Sequence, residues 1–415
     1  MVNTGHSPVP GRRALEALHF FVADVQAGIG PFLGVFLQAR GWHTGAIGAV
    51  MTLGGVVGML VTAPAGVLVD GTRHKRSLIA ISCLLIAIAS ALLLVSPAML
   101  AVASSQIVTA LAGAALGPAL AGVTLGMVRK AGFDHQFGRN QAFNHAGNVI
   151  GAGLSGVLAW KFGFVAVFVL AALFAMLAVV SVWRIPAGAI DHRAARGCEH
   201  ATQDDRISGF RVLLTCKPLL ILGVSLLLFH LANAAMLPLY GLAVVAAHQG
   251  NPALFTAATI VVAQLVMVAM AMLAIGWMRR RGHWFVLLLT FIALPIRGLI
   301  AAHFIKSWGV WPVQMLDGVG AGLQSVAVPA MVAALLHGSG RVNAGQGAVM
   351  TMQGIGAALS PLLGGAVADA WGFRVAFLLL GAIATVALAL WCGGARVLRR
   401  EHGVAVDASV HGLAP

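Results

Sequence analysis

The chain has 415 residues, of which 60% are hydrophobic, 51 are glycine and only 9% are charged, against about 25% in a soluble domain. A soluble protein so apolar could not cover its surface, so the composition calls for a lipid solvent and excludes disorder, fibrous repeats and a secreted disulfide scaffold. The net charge of +14 comes from short basic clusters between apolar runs, which points to membrane topology rather than to nucleic acid. Cys83, Cys198, Cys216 and Cys392 lie far apart with no CxxC pair, so neither a disulfide framework nor a metal site is expected.

Residues 1–13 are polar and include Arg12 and Arg13. The apolar stretch that follows holds Asp24 near its middle and lacks an A-x-A cleavage site, so it reads as a retained helix rather than a signal peptide. Twelve apolar segments follow one another at about 15–38, 45–69, 78–96, 99–128, 141–160, 163–183, 218–245, 253–278, 285–303, 310–336, 346–369 and 373–394. At ~1.5 Å per residue each is long enough for ~30 Å of hydrocarbon. The expected fold is an all-α integral membrane protein of twelve transmembrane helices in two six-helix halves. A tail at 1–14 precedes the first half (15–184), a central loop (185–217) precedes the second (218–394), and a tail (395–415) ends the chain. Of the 26 Lys and Arg residues, 21 fall in the tails and loops on one side of this topology. Only Arg40, Lys161, Lys306 and Arg374 fall on the other, which puts both termini in the cytoplasm.

The halves read as a parallel repeat. Gln106 and Thr109 of segment four align with Gln314 and Asp317 of segment ten, and Gly151 to Ser155 of segment five align with Gly356 to Ser360 of segment eleven. Internal repeats of this kind are a transporter architecture.

The loop after segment two reads Gly66-Val67-Leu68-Val69-Asp70-Gly71-Thr72-Arg73-His74-Lys75-Arg76. With the twelve segments and the central loop, it resembles the G-x-L-x-D signature and basic cluster of the major facilitator superfamily (MFS). It departs from the usual form in having Gly71 where a basic residue is common and Arg73 where a glycine is common. The resemblance implies an MFS fold, alternating access by rocking of the halves, and a cytoplasmic latch made by Gly66, Asp70, Arg73, Lys75 and Arg76. Asp70 would meet the start of segment eleven, near Gly345 and Gln346, where a helix N-terminus favours a carboxylate by ~0.3–1 kcal/mol. The Asp369 to Arg374 turn also resembles the family and is read as structural. Many proton-driven exporters of the family carry an arginine in segment four; Thr109 stands there in this chain.

Ionisable groups at membrane depth are expensive and therefore candidates for function. Asp24 has only Phe20, Phe21, Ala27 and Gly28 on its own helix face, so any partner must come from elsewhere; it is the leading proton-coupling group. His19 and Gln26 share another face, and Gln26 reads as interhelical glue. Arg297 lies ~18 Å from the cytoplasmic edge and Asp317 ~20 Å, so the two are expected to form an ion pair between consecutive helices. The remaining groups on helices that line the cavity in the family are Asn144, His145, Asn148, His230, Asn233, Tyr240, Gln264, Gln324 and Gln353, joined there by Asp317. They describe a polar, lightly charged cavity for a small organic solute. The glycines at 54, 55, 58, 147, 151 and 153 are read as packing positions.

There is no P-loop, no H-E-x-x-H and no Cys/His cluster, so neither an ATP-driven pump nor an enzyme is expected, and no cofactor. The expectation is a monomeric, multi-pass secondary transporter of a bacterial inner membrane. Its partners are a small-molecule substrate, protons and the lipid bilayer, and not nucleic acid. Proton-coupled efflux is the first reading; proton-coupled uptake or exchange of a small organic anion is the alternative.

Overall fold

The computed structural model describes residues 10–27, 29–192, 194–196, 216–336 and 342–398. Among these residues the ordered elements are helices and there is no strand. A chain in hydrocarbon has to satisfy its backbone N–H and C=O groups internally, and helices do so within each segment. The helices run α1 (Arg12–Ala27), α2 (Gly30–Gln38), α3 (Thr44–Gly71), α4 (Lys75–Val95), α5 (Met99–Phe162), α6 (Val165–Trp183), α7 (Lys217–Asn233), α8 (Met236–Ala246), α9 (Pro252–His303), α10 (Val310–Leu335), α11 (Val342–Trp371) and α12 (Phe373–Gly393).

Among the described residues, eight helical runs are long and apolar enough to cross a membrane. The sequence predicts twelve, and the difference has local causes. The first segment is divided, because α1 stops at Ala27 and α2 restarts at Gly30 with proline in its first turn. Segments eight and nine share α9, which bends at Gly282 (φ 77°), where a residue without Cβ carries no penalty. Segments four and five share α5, which bends at Arg129 (φ 55°). The expected loop at 129–140 is therefore helical beyond that single residue. Segments five and eleven are rich in Gly, Asn, Gln, Ser and Thr, which lowers their apolar character.

The chain forms two compact units, one of Met1–Gly41, Leu53–Thr202 and Thr256–Val261, the other of Trp42–Thr52, Gln203–Phe255 and Val262–Pro415. The first has a core of Leu15, Leu18 and Val22 of α1, Ile79 and Cys83 of α4, Leu116 and Val123 of α5, and Phe174 and Val182 of α6. In the second, α7 packs on α11 and α12. Fully buried Trp391 of α12 stacks on Phe291 of α9, with ring centroids 5.1 Å apart. Large apolar side chains such as Leu100, Met272 and Val67 stand exposed, as a lipid-facing surface requires.

The start of the predicted central loop is not a free linker. Two short 3-10 turns, Ala187–Ala189 and Ala194–Arg196, bring Ile190, Ala194 and Ala195 into the first unit's core. The Asp191 N–H donates to the Gly126 carbonyl of α5 at 2.9 Å, and its carboxylate lies 3.3 Å from Arg129 Nη2. Arg129 holds a positive φ that an L residue rarely adopts, and Asp191 anchors its side chain there.

Helix crossings are set by residues without side chains. A Cβ on Gly147 of α5 would fall 2.1 Å from the Phe20 carbonyl oxygen of α1. One on Gly356 of α11 would fall 2.2 Å from the Leu227 oxygen of α7. One on Gly322 of α10 would fall 2.3 Å from the Met267 oxygen of α9. Ser360 adds a polar tie, accepting the N–H of Ala235 at 2.8 Å where the chain passes from α7 to α8. Gly147→Val should therefore cost about 1–3 kcal/mol or more, because backbone has to move. Gly153→Val, whose Cβ would meet nothing within 4 Å, should be tolerated. Thermal unfolding in detergent distinguishes the two, and equal midpoints would refute the contact.

Candidate functional site

In the first unit, α1 presents Asp24 to α5. The carboxylate is 8% exposed and seated in the space left by Gly151, where a Cβ would fall 2.3 Å from Oδ1. Among the described residues it has no hydrogen-bond or ion-pair partner. Asn144 and Asn148 lie on the same α5 stretch, and Asn148 Nδ2 donates to Asn144 Oδ1 at 3.3 Å, leaving the Asn148 oxygen buried without a donor. His19, one turn and a half from Asp24, is also buried with Nε2 unpartnered among the described residues. His145 is half-buried beside Asn144 and engaged in its own interactions.

In the second unit the structure brings Arg297 and Asp317 together, with Nη1 to Oδ1 at 2.8 Å. Arg297 is 0% exposed. A buried guanidinium needs acceptors on every side, and it has them. Its Nε donates to the Val313 carbonyl at 3.1 Å, Nη2 to Gln314 Oε1 at 3.4 Å, and Nη1 also to Asn233 Oδ1. Asn233 in turn donates to Asp317 Oδ1 at 3.2 Å, closing a network across α7, α9 and α10. One turn before Asn233, His230 is bonded by Gln353 of α11, 3.1 Å between the Nε2 atoms, and by Gln324 of α10. Gln324 also donates to Thr290 Oγ1 at 3.4 Å. Gln264 of α9 lies half-buried and partnered.

Tyr240, predicted at the cavity, has its hydroxyl engaged by backbone. It is 0% exposed, and its hydroxyl donates to the Phe304 carbonyl at 2.5 Å with the Lys306 oxygen 3.2 Å away. It pins the turn after α9 to α8, as an aromatic ring with a polar tip does when both ends are buried.

Two residues of the predicted basic latch, Lys75 and Arg76, make bonds within the first unit. Lys75 is 1% exposed, and its Nζ donates to the Val69 carbonyl at 2.6 Å and the Thr72 carbonyl at 3.0 Å, closing the end of α3. Arg76 donates to the Ile185 carbonyl at 2.6 Å and lies 5.3 Å from the Trp183 ring centre. Arg73 is exposed, and Gly66 has open space around it. The side chain of Asp70 lies outside the described residues. Near its expected partner, Gln346 donates to the Pro329 carbonyl at 2.7 Å.

One polar cluster escaped sequence reading. Glu16 of α1, 6% exposed, accepts from Arg139 Nε at 2.9 Å, Arg12 Nε at 3.3 Å and Gln136 Nε2 at 3.5 Å. The chain continues from Gln136 to Asn140 Oδ1 at 2.9 Å and from Asn140 to Thr124 Oγ1 at 3.0 Å. The signal was present: Gln136, Arg139 and Asn140 have helical spacing, but they fell in a stretch read as loop.

If Arg297 and Asp317 form one unit, removing either leaves a buried charge unpaired, at about 3–5 kcal/mol. Arg297→Ala and Asp317→Ala should each lower thermal stability more than the double variant does. Strictly additive losses would show that the two residues act independently.

Residues 17–313 match the sequence model of the Major Facilitator Superfamily. An uncharacterized MFS-type transporter of Mycobacterium tuberculosis (strain CDC 1551 / Oshkosh) is 38% identical over 392 residues, covering 92% of this chain and 93% of its own. The crystal structure of the nucleoside transporter NupG aligns with a TM-score of 0.78 at 14% identity over 92% of this chain and 98% of that one. A bacterial homologue of the human lysosomal transporter Spinster, in an inward-facing and unoccupied conformation, aligns at 0.75 and 13% identity over 96% and 99%. The solved structures share the fold at these identities; the family match and the mycobacterial relative carry the assignment. This chain belongs to the major facilitator superfamily and is a multi-pass membrane transporter.

Proposed function

We propose that the protein couples movement of a small organic solute to movement of protons by alternating access, with Asp24 as the proton carrier. One observation carries the reading: a carboxyl group in the middle of an apolar segment is 8% exposed and has no partner among the described residues. Carboxylates kept for structure are held by donors, as Glu16 is by Arg139 and Asp317 is by Arg297. A buried carboxyl group without a partner can change its charge without breaking a contact, which is what a coupling group requires.

Export is the direction adopted, and it rests on the family resemblance alone. Uptake or exchange of an organic anion is the second reading. Arg297 weighs against it, because its donors are engaged by Val313, Asn233, Gln314 and Asp317. A monomer in a bacterial inner membrane, with the cytoplasmic latch at Asp70, completes the proposal.

Comparison of metabolites inside and outside cells with and without the protein identifies the solute and its direction. In proteoliposomes given that solute, Asp24→Asn should abolish solute-driven proton flux while leaving counterflow exchange measurable. Proton flux at the wild-type level in that variant would remove Asp24 from the mechanism. Asp70→Asn should raise the reactivity of cysteines introduced on the cytoplasmic face; unchanged reactivity would place the latch elsewhere.

A further inference from the structure

A cavity of about 410 Å³ opens within the first unit, between α3 and α5, with Gln26 of α1 and Ile86 of α4 completing its wall. The volume is within the range of small-molecule sites. Its floor is nearly bare of side chains. Gly54, Gly55 and Gly58 line it from α3, and Ala110, Gly113 and Ala114 from α5. A Cβ on Gly113 would meet nothing within 4 Å, so the space beside it is open. The glycines at 54, 55 and 58 that the sequence assigns to packing therefore also shape a cavity wall.

The polar groups in this wall are all uncharged: the carboxamides of Gln26 and Gln106 and the hydroxyls of Thr62 and Thr109. Thr62 spends its hydrogen on the Gly58 carbonyl at 2.7 Å and so presents lone pairs. Gln26, Gln106 and Thr109 have no hydrogen-bond partner among the described residues. Carboxamides without an internal partner are available to a ligand, and each offers both a donor and an acceptor. The repeat sharpens the contrast. Gln314, the counterpart of Gln106, accepts from Arg297, and Asp317, the counterpart of Thr109, pairs with it. Among the described residues of the first unit no basic side chain lines this cavity, and the groups have no internal partner.

We propose that this cavity is a binding site for an uncharged, flat solute bearing a carboxamide or lactam edge. An amide edge offers an acceptor and a donor side by side, which matches a glutamine carboxamide in both senses. The glycine surface lets a ring lie close to backbone. A charged solute would lose its hydration with no counter-charge in the wall, which sets the class apart from organic anions and cations. The site deepens the transport reading by naming the class of solute, and its test is equilibrium binding, which is independent of proton coupling.

Nicotinamide and its isosteric anion nicotinate make the test direct. Calorimetric titration of the purified full chain in detergent should show saturable binding of nicotinamide and at least tenfold weaker binding of nicotinate. Gly113→Leu, which fills open space, should abolish nicotinamide binding, whereas Gly153→Leu, also at an open position outside the cavity, should leave it intact. Thr109→Val keeps the shape, removes one hydroxyl and should weaken binding several-fold; it decides the matter if Gly113→Leu fails to fold. Absence of nicotinamide binding, equal binding of nicotinate, or undiminished binding in Gly113→Leu or Thr109→Val would overturn the proposal. Loss of proton coupling in Asp24→Asn with nicotinamide binding retained would leave the two readings separately judged.

Discussion

The approach of α1 to α5 at Gly147 and Gly151 is the contact on which the first unit's chemistry depends. Lipid gives helices no hydrophobic reason to associate, so close backbone packing has to supply the attraction. Gly147 admits the Phe20 carbonyl and Gly151 admits the Asp24 carboxylate. A larger residue at either position would push α1 outward and expose the carboxyl group. The same device recurs in the second unit, where Gly356 admits the Leu227 carbonyl and Gly364 lies against Ala235 and Leu239.

The two units handle buried polarity differently. In the second, Arg297 at 0% exposure is neutralised by Asp317 and surrounded by amide and carbonyl oxygens. Such a network is costly to break and gives little net stability for its presence. It fixes the relative depth of α7, α9 and α10. In the first, Glu16 is saturated by donors near the start of α1, whereas Asp24, two turns further on, has none among the described residues. Two carboxylates on one helix therefore have opposite environments, and only the second is free to change its protonation without losing a partner.

The basic cluster after α3 shows why charge counts alone mislead about roles. Lys75 and Arg76 belong to the basic clusters from which the sequence reads an orientation. Their side chains also close the end of α3 and tie it to the residues after α6. Topology and local capping are compatible, because a lysine or arginine at a helix end satisfies carbonyls wherever its charge directs the loop.

The sequence by itself determined the lipid solvent, the helical class, the family and the pairing of Arg297 with Asp317. Composition, G-x-L-x-D and matched depth depend on order along the chain and on length per residue. It also picked out Asp24 as a carboxyl group without a partner on its own helix. Only the tertiary structure decided which side chains were already engaged. It engaged Tyr240 with the backbone of the turn after α9, drew 185–192 and 194–196 onto the first unit, and gathered Glu16 with Gln136, Arg139 and Asn140 from a stretch that read as loop. It also turned a row of packing glycines and Gln26 into a cavity wall. The reason is common to all of these: periodicity names a face of a helix, but what fills the space beside that face depends on side chains that arrive from other helices.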